Sequence, residues 1–210
     1  MGLTDPDRIL AVAYAGKRRD NLRLLLLFDQ ALGRLVATSR EPVLGQMKLA
    51  WWRENLSDEA ENAVSREPLI TAVRQLGMAN HLVAMVNGWE AVLGELPLNI
   101  EALEAFAEER GASLFAAAMQ LYGLKPDDQS ARAGRAWALA DFAFHCSDAE
   151  TSRRAVALAG TLIDAKGLPR PLGILTVLAQ CDIARHETGR WRPGSPIRIL
   201  RAFAFGVFGR

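Results

Sequence analysis

The stretch from Pro42 to Leu56 constrains the fold most, because it predicts a helix that is apolar on two sides. Proline suits the first helical position, where its missing N–H would have no partner anyway. At about 100° per residue, two apolar stripes form, with Lys48 in the gap between them. The stripes are Leu44, Met47 and Trp51 on one side, and Leu49, Trp52 and Leu56 on the other. Such a helix is expected to lie wedged between neighbouring helices, within a bundle.

Helical signals continue along the rest of the chain, and no segment has the two-residue alternation typical of a strand. Alanine and leucine dominate a sequence of 210 residues that is 50% hydrophobic, which favours helices and a sizeable core. We expect an all-α fold of about eight to ten helices, in one domain spanning residues 1–210. Gly111 interrupts a long predicted helix at about 100–122, and a glycine there lets another element come close.

Charge and cysteine content exclude several classes of protein. Lysine and arginine number 25 against 24 acidic residues, which argues against nucleic-acid binding. Cys146 and Cys181 indicate no disulfide framework and fit a reducing compartment. Charged residues break the apolar character of the first twenty positions, so no signal peptide is predicted, and no apolar run could cross a bilayer. A cytoplasmic location is expected.

One face of the predicted second helix is unusual, because its members are small or polar. They are Asp29, Gln30, Gly33 and Ala37. Asp29 and Gln30 are candidates for binding the head group of a ligand, although pairing of the carboxylate with a neighbouring arginine explains them equally well.

Two other sets of polar residues are candidate sites. Arg40, Lys48 and Arg53 could bind an anion, although salt bridges to Glu41 and Glu54 are the simpler interpretation. Asp141, His145 and Asp148 have spacings of four and three, so they could share a helical face and form a metal or acid–base site. The alternative is an ordinary helix end, with Ser147 capping the next helix.

The tail, Ile197–Arg210, is basic and aromatic. It carries Arg198, Arg201 and Arg210 together with Phe203, Phe205 and Phe208. Such a segment could lie on an anionic membrane or dock on a protein partner. The alternative is that its aromatic residues close the bundle.

Two motifs in the first quarter of the chain resemble the squalene/phytoene synthase family. They are Phe28-Asp29-x-x-Leu32-x-Arg34-Leu35-Val36 and Arg40-Glu41-Pro42-x-Leu44-Gly45-x-Met47-Lys48-Leu49-x-Trp51-Trp52-Arg53-Glu54. Weaker features follow in order at Gly88-Trp89-Glu90, Glu109-Arg110-Gly111, Ala133-Gly134 and Leu168-Pro169-Arg170-Pro171. The likeness is strongest to the family's short, divergent branch, which includes an assembly factor of respiratory complex I.

The resemblance implies an isoprenoid-synthase-type bundle around an apolar cavity, in which two prenyl diphosphates are joined head to head. Two aspartate-rich motifs would hold Mg²⁺, which neutralises the departing diphosphate. Here the first motif would fall near Gly33, Arg34 and Ala37, none of which is acidic. Near the second, His145 stands roughly where a metal-binding aspartate is expected.

The sequence is therefore compatible with three functions. The preferred hypothesis is a non-catalytic lipid-binding or assembly protein that binds a prenyl diphosphate or another lipid, with Trp51 and Trp52 among the ligand-binding candidates. The second is an active, Mg²⁺-dependent prenyltransferase with relocated ligands at Asp29, Asp141 and Asp148. The third is a helical interaction module with a filled core.

Overall fold

Helices make up the bundle, and no strand occurs in the residues that the computed structural model describes, which are 2–39, 41–56, 67–162, 167–186 and 196–208. The all-α prediction is confirmed. Counting the three consecutive segments of 100–121 as one helix, this part of the chain holds ten helices. They are α1 (Pro6–Ala13), α2 (Arg19–Thr38), α3 (Pro42–Leu56), α4 (Pro68–Arg74), α5 (Ala79–Ala91), α6 (Ile100–Phe106, Ala107–Ala112 and Ser113–Leu121), α7 (Asp128–His145), α8 (Ala149–Gly160), α9 (Arg170–His186) and α10 (Pro196–Phe208).

Side-chain caps begin several of these helices. Asp5 caps α1 and Asn99 caps α6, as their sequence context predicts. The predicted cap of α8 is wrong by one residue. The Asp148 carboxylate, and not Ser147, accepts the backbone N–H of Thr151, since a carboxylate also complements the positive end of the helix dipole.

The centre of the bundle is a π-helical turn in the middle of α6, Ala107–Ala112. Three glycines let α5 and α7 approach this turn at backbone distance. A Cβ on Gly134 would lie 2.3 Å from the carbonyl oxygen of Gly111, and one on Gly88 would lie 2.5 Å from the backbone nitrogen of Arg110. The close approach expected at Gly111 is therefore present, and it fixes the position of Arg110.

The prediction that α3 is buried on two sides is wrong. Leu49 and Leu56 are buried, and Trp52 is half-buried against Phe28 with 5.6 Å between ring centroids. The other stripe faces outward: Leu44, Met47 and Trp51 are 49%, 64% and 44% exposed. The reason is that α3 packs at the edge of the bundle, where Gly45 lies against Leu93, just after the end of α5.

Candidate functional site

A cavity of about 570 Å³ opens beside the small face of α2. Asp29, Gln30, Gly33 and Ala37 all line it, together with residues of α1, α5 and α7. Gly33 is needed because the indole of Trp89 lies against it; a Cβ there would be 3.0 Å from the ring. The third hypothesis, a helical module without a cavity, loses its main premise.

Arg110 is completely buried behind this cavity, inside an aromatic enclosure. Its guanidinium carbon lies 4.4 Å from the ring centroid of Trp89, 5.1 Å from that of Phe106 and 4.7 Å from that of Trp137. Aromatic faces attract a cation, and more strongly when water is excluded. The side chain comes from the π-helical turn, a form that is often found at functional sites.

Asp29 is also completely buried, and four donors surround its two oxygens. Its Oδ1 accepts from Nε of Arg110 at 2.8 Å and from Nε1 of Trp89 at 2.9 Å. Its Oδ2 accepts from Nη2 of Arg110 at 2.8 Å and lies 3.0 Å from Nη1 of Arg8. Arg110 thus grips Asp29 in the two-pronged geometry that gives the strongest arginine–carboxylate pairs.

Asp141 of α7 completes the group, which we call the cavity network: Arg8, Asp29, Arg110 and Asp141. Oδ2 of Asp141 accepts from Nη2 of Arg110 at 2.5 Å and from Nη2 of Arg8 at 3.3 Å. Nε of Arg8 is buried and has no hydrogen-bond partner among the described residues. The two arginines and two aspartates of the network balance in charge, while Nε of Arg8 points toward a third carboxylate, Oδ2 of Asp5, at 3.8 Å.

The arginines keep both carboxylates ionised. Burial would raise the pKa of Asp29, but the charges of Arg110 and Arg8 outweigh it and hold the pKa below its usual range. Burial acts on Asp141 in the same way, and Arg110, Arg8 and His145 lower its pKa to about 2. The pKa of the Arg110 guanidinium is raised, because both aspartates outweigh the effect of burial.

These residues do not fit a magnesium ion. Mg²⁺ prefers oxygen ligands in octahedral geometry, usually including one or two carboxylates with free lone pairs. The donors on Asp29 occupy both of its oxygens, and two guanidinium cations stand where a second cation would have to bind. Among the described residues, no group of three or more His, Cys, Asp or Glu side chains could hold a metal.

Of the Asp141, His145 and Asp148 set, the first two lie together at the cavity, with 3.8 Å between Nδ1 of His145 and Oδ1 of Asp141, and Asp148 lies apart. His145 lies at the cavity with its side chain 71% exposed, and its Nδ1 is 2.7 Å from the carbonyl oxygen of Asp141. Asp148 caps α8, and its hydrogen bonds from Thr151 lower the pKa of its carboxyl. It is not among the cavity residues.

The cationic set is also dispersed. Arg40 lies outside the described residues, and Lys48 is exposed on α3. Arg53 donates to Asn87 at 2.8 Å and forms an ion pair with Glu90, because α3 packs on α5. Lys48, Trp51 and Trp52 line a separate, shallow groove of about 420 Å³.

Sequence reasoning did not assign Arg8, Trp89 and Arg110 to a site. Trp89 and Arg110 stood out only as features of the family resemblance. A usable signal was present, since Arg110 precedes a glycine inside a helix whose other inward residues are apolar. Arg8 carried no such signal, because its neighbours Asp5 and Asp7 suggest an ordinary polar first turn.

Among the described residues, no helix combines the length and apolarity needed to cross a membrane. No curated protein and no solved structure matched the chain significantly. The family model for squalene/phytoene synthase matches residues 5–172, which includes every member of the cavity network. The chain therefore belongs to the squalene/phytoene synthase family.

Proposed function

We propose that this protein is a non-catalytic family member that binds an uncharged, isoprenoid-type lipid in the cavity. One observation carries the proposal. The donors from Arg110, Arg8 and Trp89 occupy both oxygens of Asp29, the buried carboxylate nearest the expected metal site. A carboxylate held in this way is a structural ion-pair partner and not a free metal ligand.

The balance of charge favours a neutral ligand over a diphosphate. Three aspartates line the cavity, at positions 5, 29 and 141, together with Arg8 and Arg34, and Arg110 lies buried behind it. Arg8 is paired with three carboxylates, those of Asp5, Asp29 and Asp141, and Arg110 is paired with two. Arg34 alone of the three is exposed, and it donates to Thr4. A diphosphate would enter without the metal ions or the cluster of free cations that its charge requires.

The wall chemistry suits a lipid with one oxygen at its head. Val36, Val92, Leu93, Leu96 and Phe142 form an apolar part of the lining. At the polar end, the buried Nε–H of Arg8 forms no hydrogen bond, since its nearest carboxylate oxygen, Oδ2 of Asp5, is 3.8 Å away; a hydroxyl or carbonyl oxygen of a ligand would supply an acceptor. A volume of about 570 Å³ is within the usual range for small-molecule sites.

The test compares farnesol with farnesyl diphosphate, each with and without Mg²⁺, by calorimetric titration and by assay of released diphosphate. We expect farnesol to bind without Mg²⁺. Farnesyl diphosphate should bind at least about tenfold more weakly, which corresponds to a difference in binding free energy of about 1.4 kcal/mol. No diphosphate should be released.

Two variants on adjacent residues of α2 provide a matched control. Ala37 lines the cavity and is exposed, so Ala37→Phe is expected to fold and to weaken farnesol binding. Thr38 is exposed but is not a cavity residue, so Thr38→Phe should bind as the parent does. Diphosphate release that requires Mg²⁺ and is lost in Asp141→Asn would establish the alternative, an active prenyltransferase. Absence of farnesol binding would remove the lipid-binding proposal.

The cellular role that we attach to this proposal is accessory. The protein's cavity is large enough for a lipid, and its Asp29 carboxylate is not free to bind a metal. Such a protein could present a lipid to a protein partner, or sense one, in the cytoplasm or at a membrane surface. Co-purification of a partner that is lost in Ala37→Phe and kept in Thr38→Phe would support this role.

A further inference from the structure

On α10, a charged residue lies on the side of the helix that faces the rest of the protein. Arg198 is 8% exposed and donates to Asp182 through Nε and Nη2, both at 2.7 Å. It also donates to Asp7 of α1 through Nη1 at 2.6 Å and through Nη2. Ala202 and Phe205 are buried on the same side, so the orientation of α10 is fixed.

The opposite face of α10 is apolar and exposed over about two and a half turns. Leu200 is 64% exposed, Phe203 55% and Phe208 70%; Ile199 and Val207 are exposed beside them, at 53% and 41%. Isolated apolar residues on a surface need no explanation, but five on one helix form a patch that marks an interaction site.

A basic border lies at the carboxyl end of this face. Gly206 packs directly on Tyr14, since a Cβ there would lie 2.6 Å from the ring. Lys17, Arg18 and Arg19 follow Tyr14 within five residues and are exposed, as is the single acidic residue beside them, Asp20. Tyr122 donates to the carbonyl oxygen of Ala15 at 3.2 Å. This contact brings exposed Leu124 and Lys125 to the same end of the molecule.

We propose that the outer face of α10 lies on the surface of an anionic lipid bilayer, with the border at 17–19 against the head groups. Aromatic and aliphatic residues flanked by lysine and arginine are the pattern of helices that lie in the plane of a membrane interface. The charge of the border distinguishes a bilayer from a purely apolar protein partner. This proposal does not depend on what the cavity binds.

The experiment is sedimentation of the full chain with vesicles of phosphatidylcholine alone or with about one third phosphatidylserine. We expect binding to the anionic vesicles that falls as salt is raised. Phe203→Ser should reduce the partition coefficient about tenfold or more, since a buried aromatic ring is lost. Arg18→Gln should reduce it about fivefold, and only on anionic vesicles.

Met47→Ser is the matched control, because Met47 is 64% exposed in the apolar stripe of α3 and should not affect vesicle binding. Circular dichroism verifies that each variant is folded. Equal losses in Met47→Ser and Phe203→Ser would overturn the proposal, because adhesion would then be non-specific. It would also be overturned if the protein formed a lipid-independent dimer that Phe203→Ser dissociates, since the face would then be an interface between copies.

Discussion

Two arginine–aspartate clusters hold this molecule together, and they differ in what surrounds them. In the cavity network, Arg110 is fully buried beneath three aromatic rings and pairs with Asp29 and Asp141. In the second cluster, which we call the tail clamp, Arg198 pairs with Asp7 and Asp182. The side chain of Asp7 is 26% exposed, whereas that of Asp29 is not exposed at all.

The comparison shows that the cost of breaking an arginine–aspartate pair depends on how deeply the aspartate is buried. In the tail clamp, Asp7 can return to water when Arg198 is removed, whereas the buried Asp182 cannot, so only part of the cost of the removal is relieved. A buried aspartate cannot be hydrated in this way, so removing one arginine from the cavity network leaves an uncompensated charge in the interior. The two clusters meet in α1, where Asp7 belongs to one and Arg8 to the other.

The largest expected difference follows from removing each arginine. Arg110→Met leaves two carboxylates short of donors in the interior, and we expect the free energy of unfolding to fall by about 3–5 kcal/mol. Arg198→Met should cost about 1–3 kcal/mol, because water reaches Asp7. Urea denaturation at pH 7 measures both values. If Arg110→Met fails to fold, Arg110→Lys and Arg198→Lys are compared in its place. Equal losses would show that depth does not separate the clusters.

A glycine contact supports each cluster, and the second prediction compares these contacts. A Cβ on Gly134 would meet the backbone oxygen of Gly111 at 2.3 Å, whereas one on Gly173 would meet only the ring of Phe205, at 2.0 Å. A side chain can rotate away and a backbone cannot, so we expect losses of about 2–3 kcal/mol for Gly134→Ala and about 1 kcal/mol for Gly173→Ala. Thermal denaturation measures both variants. Gly160→Ala, where the nearest atom is 3.8 Å away, is the control and should be neutral or slightly stabilising. The reverse order would show that the helices at Gly134 separate easily.

Acid should weaken the cavity network in a defined range of pH. The pKa of Asp141 is about 2 in the folded protein, below its ordinary value of 3.8, so its ionised form stabilises the fold above pH 4. This contribution, on the order of 2 kcal/mol, is lost as the pH falls from about 4 to about 2. Urea denaturation across that range should show a steeper loss for the parent than for Asp141→Asn. Identical slopes would mean that Asp141 is not stabilised by Arg110 and Arg8.

The helical bundle could be predicted from sequence, because periodicity is a local pattern. The cavity beside Gly33 and Ala37 was expected only from the resemblance to the family. Pairing of Asp29 with an arginine was one of two interpretations. The identity of that arginine could not be obtained, since Arg110 is 81 positions away and no local pattern links the two residues.

The exposed stripe of α3 illustrates a second limit. Hydrophobic periodicity shows which residues share a side of a helix, but it does not show whether another helix covers that side. For the tail, both interpretations held apolar residues responsible for docking, whereas Arg198 docks the helix together with only some of them. A buried charged residue whose partners are distant in sequence produces no periodic pattern by which it could be predicted.

The π-helical turn at Ala107–Ala112 has a consequence for comparing this chain with others. A π turn uses an additional residue to close each hydrogen-bonded ring, so the two halves of α6 are out of step with one continuous α-helix by about one position. A relative in which this helix is regular would align correctly with only one half unless a single-residue gap is placed inside it. Where that gap falls decides whether the counterpart of Arg110 is identified correctly.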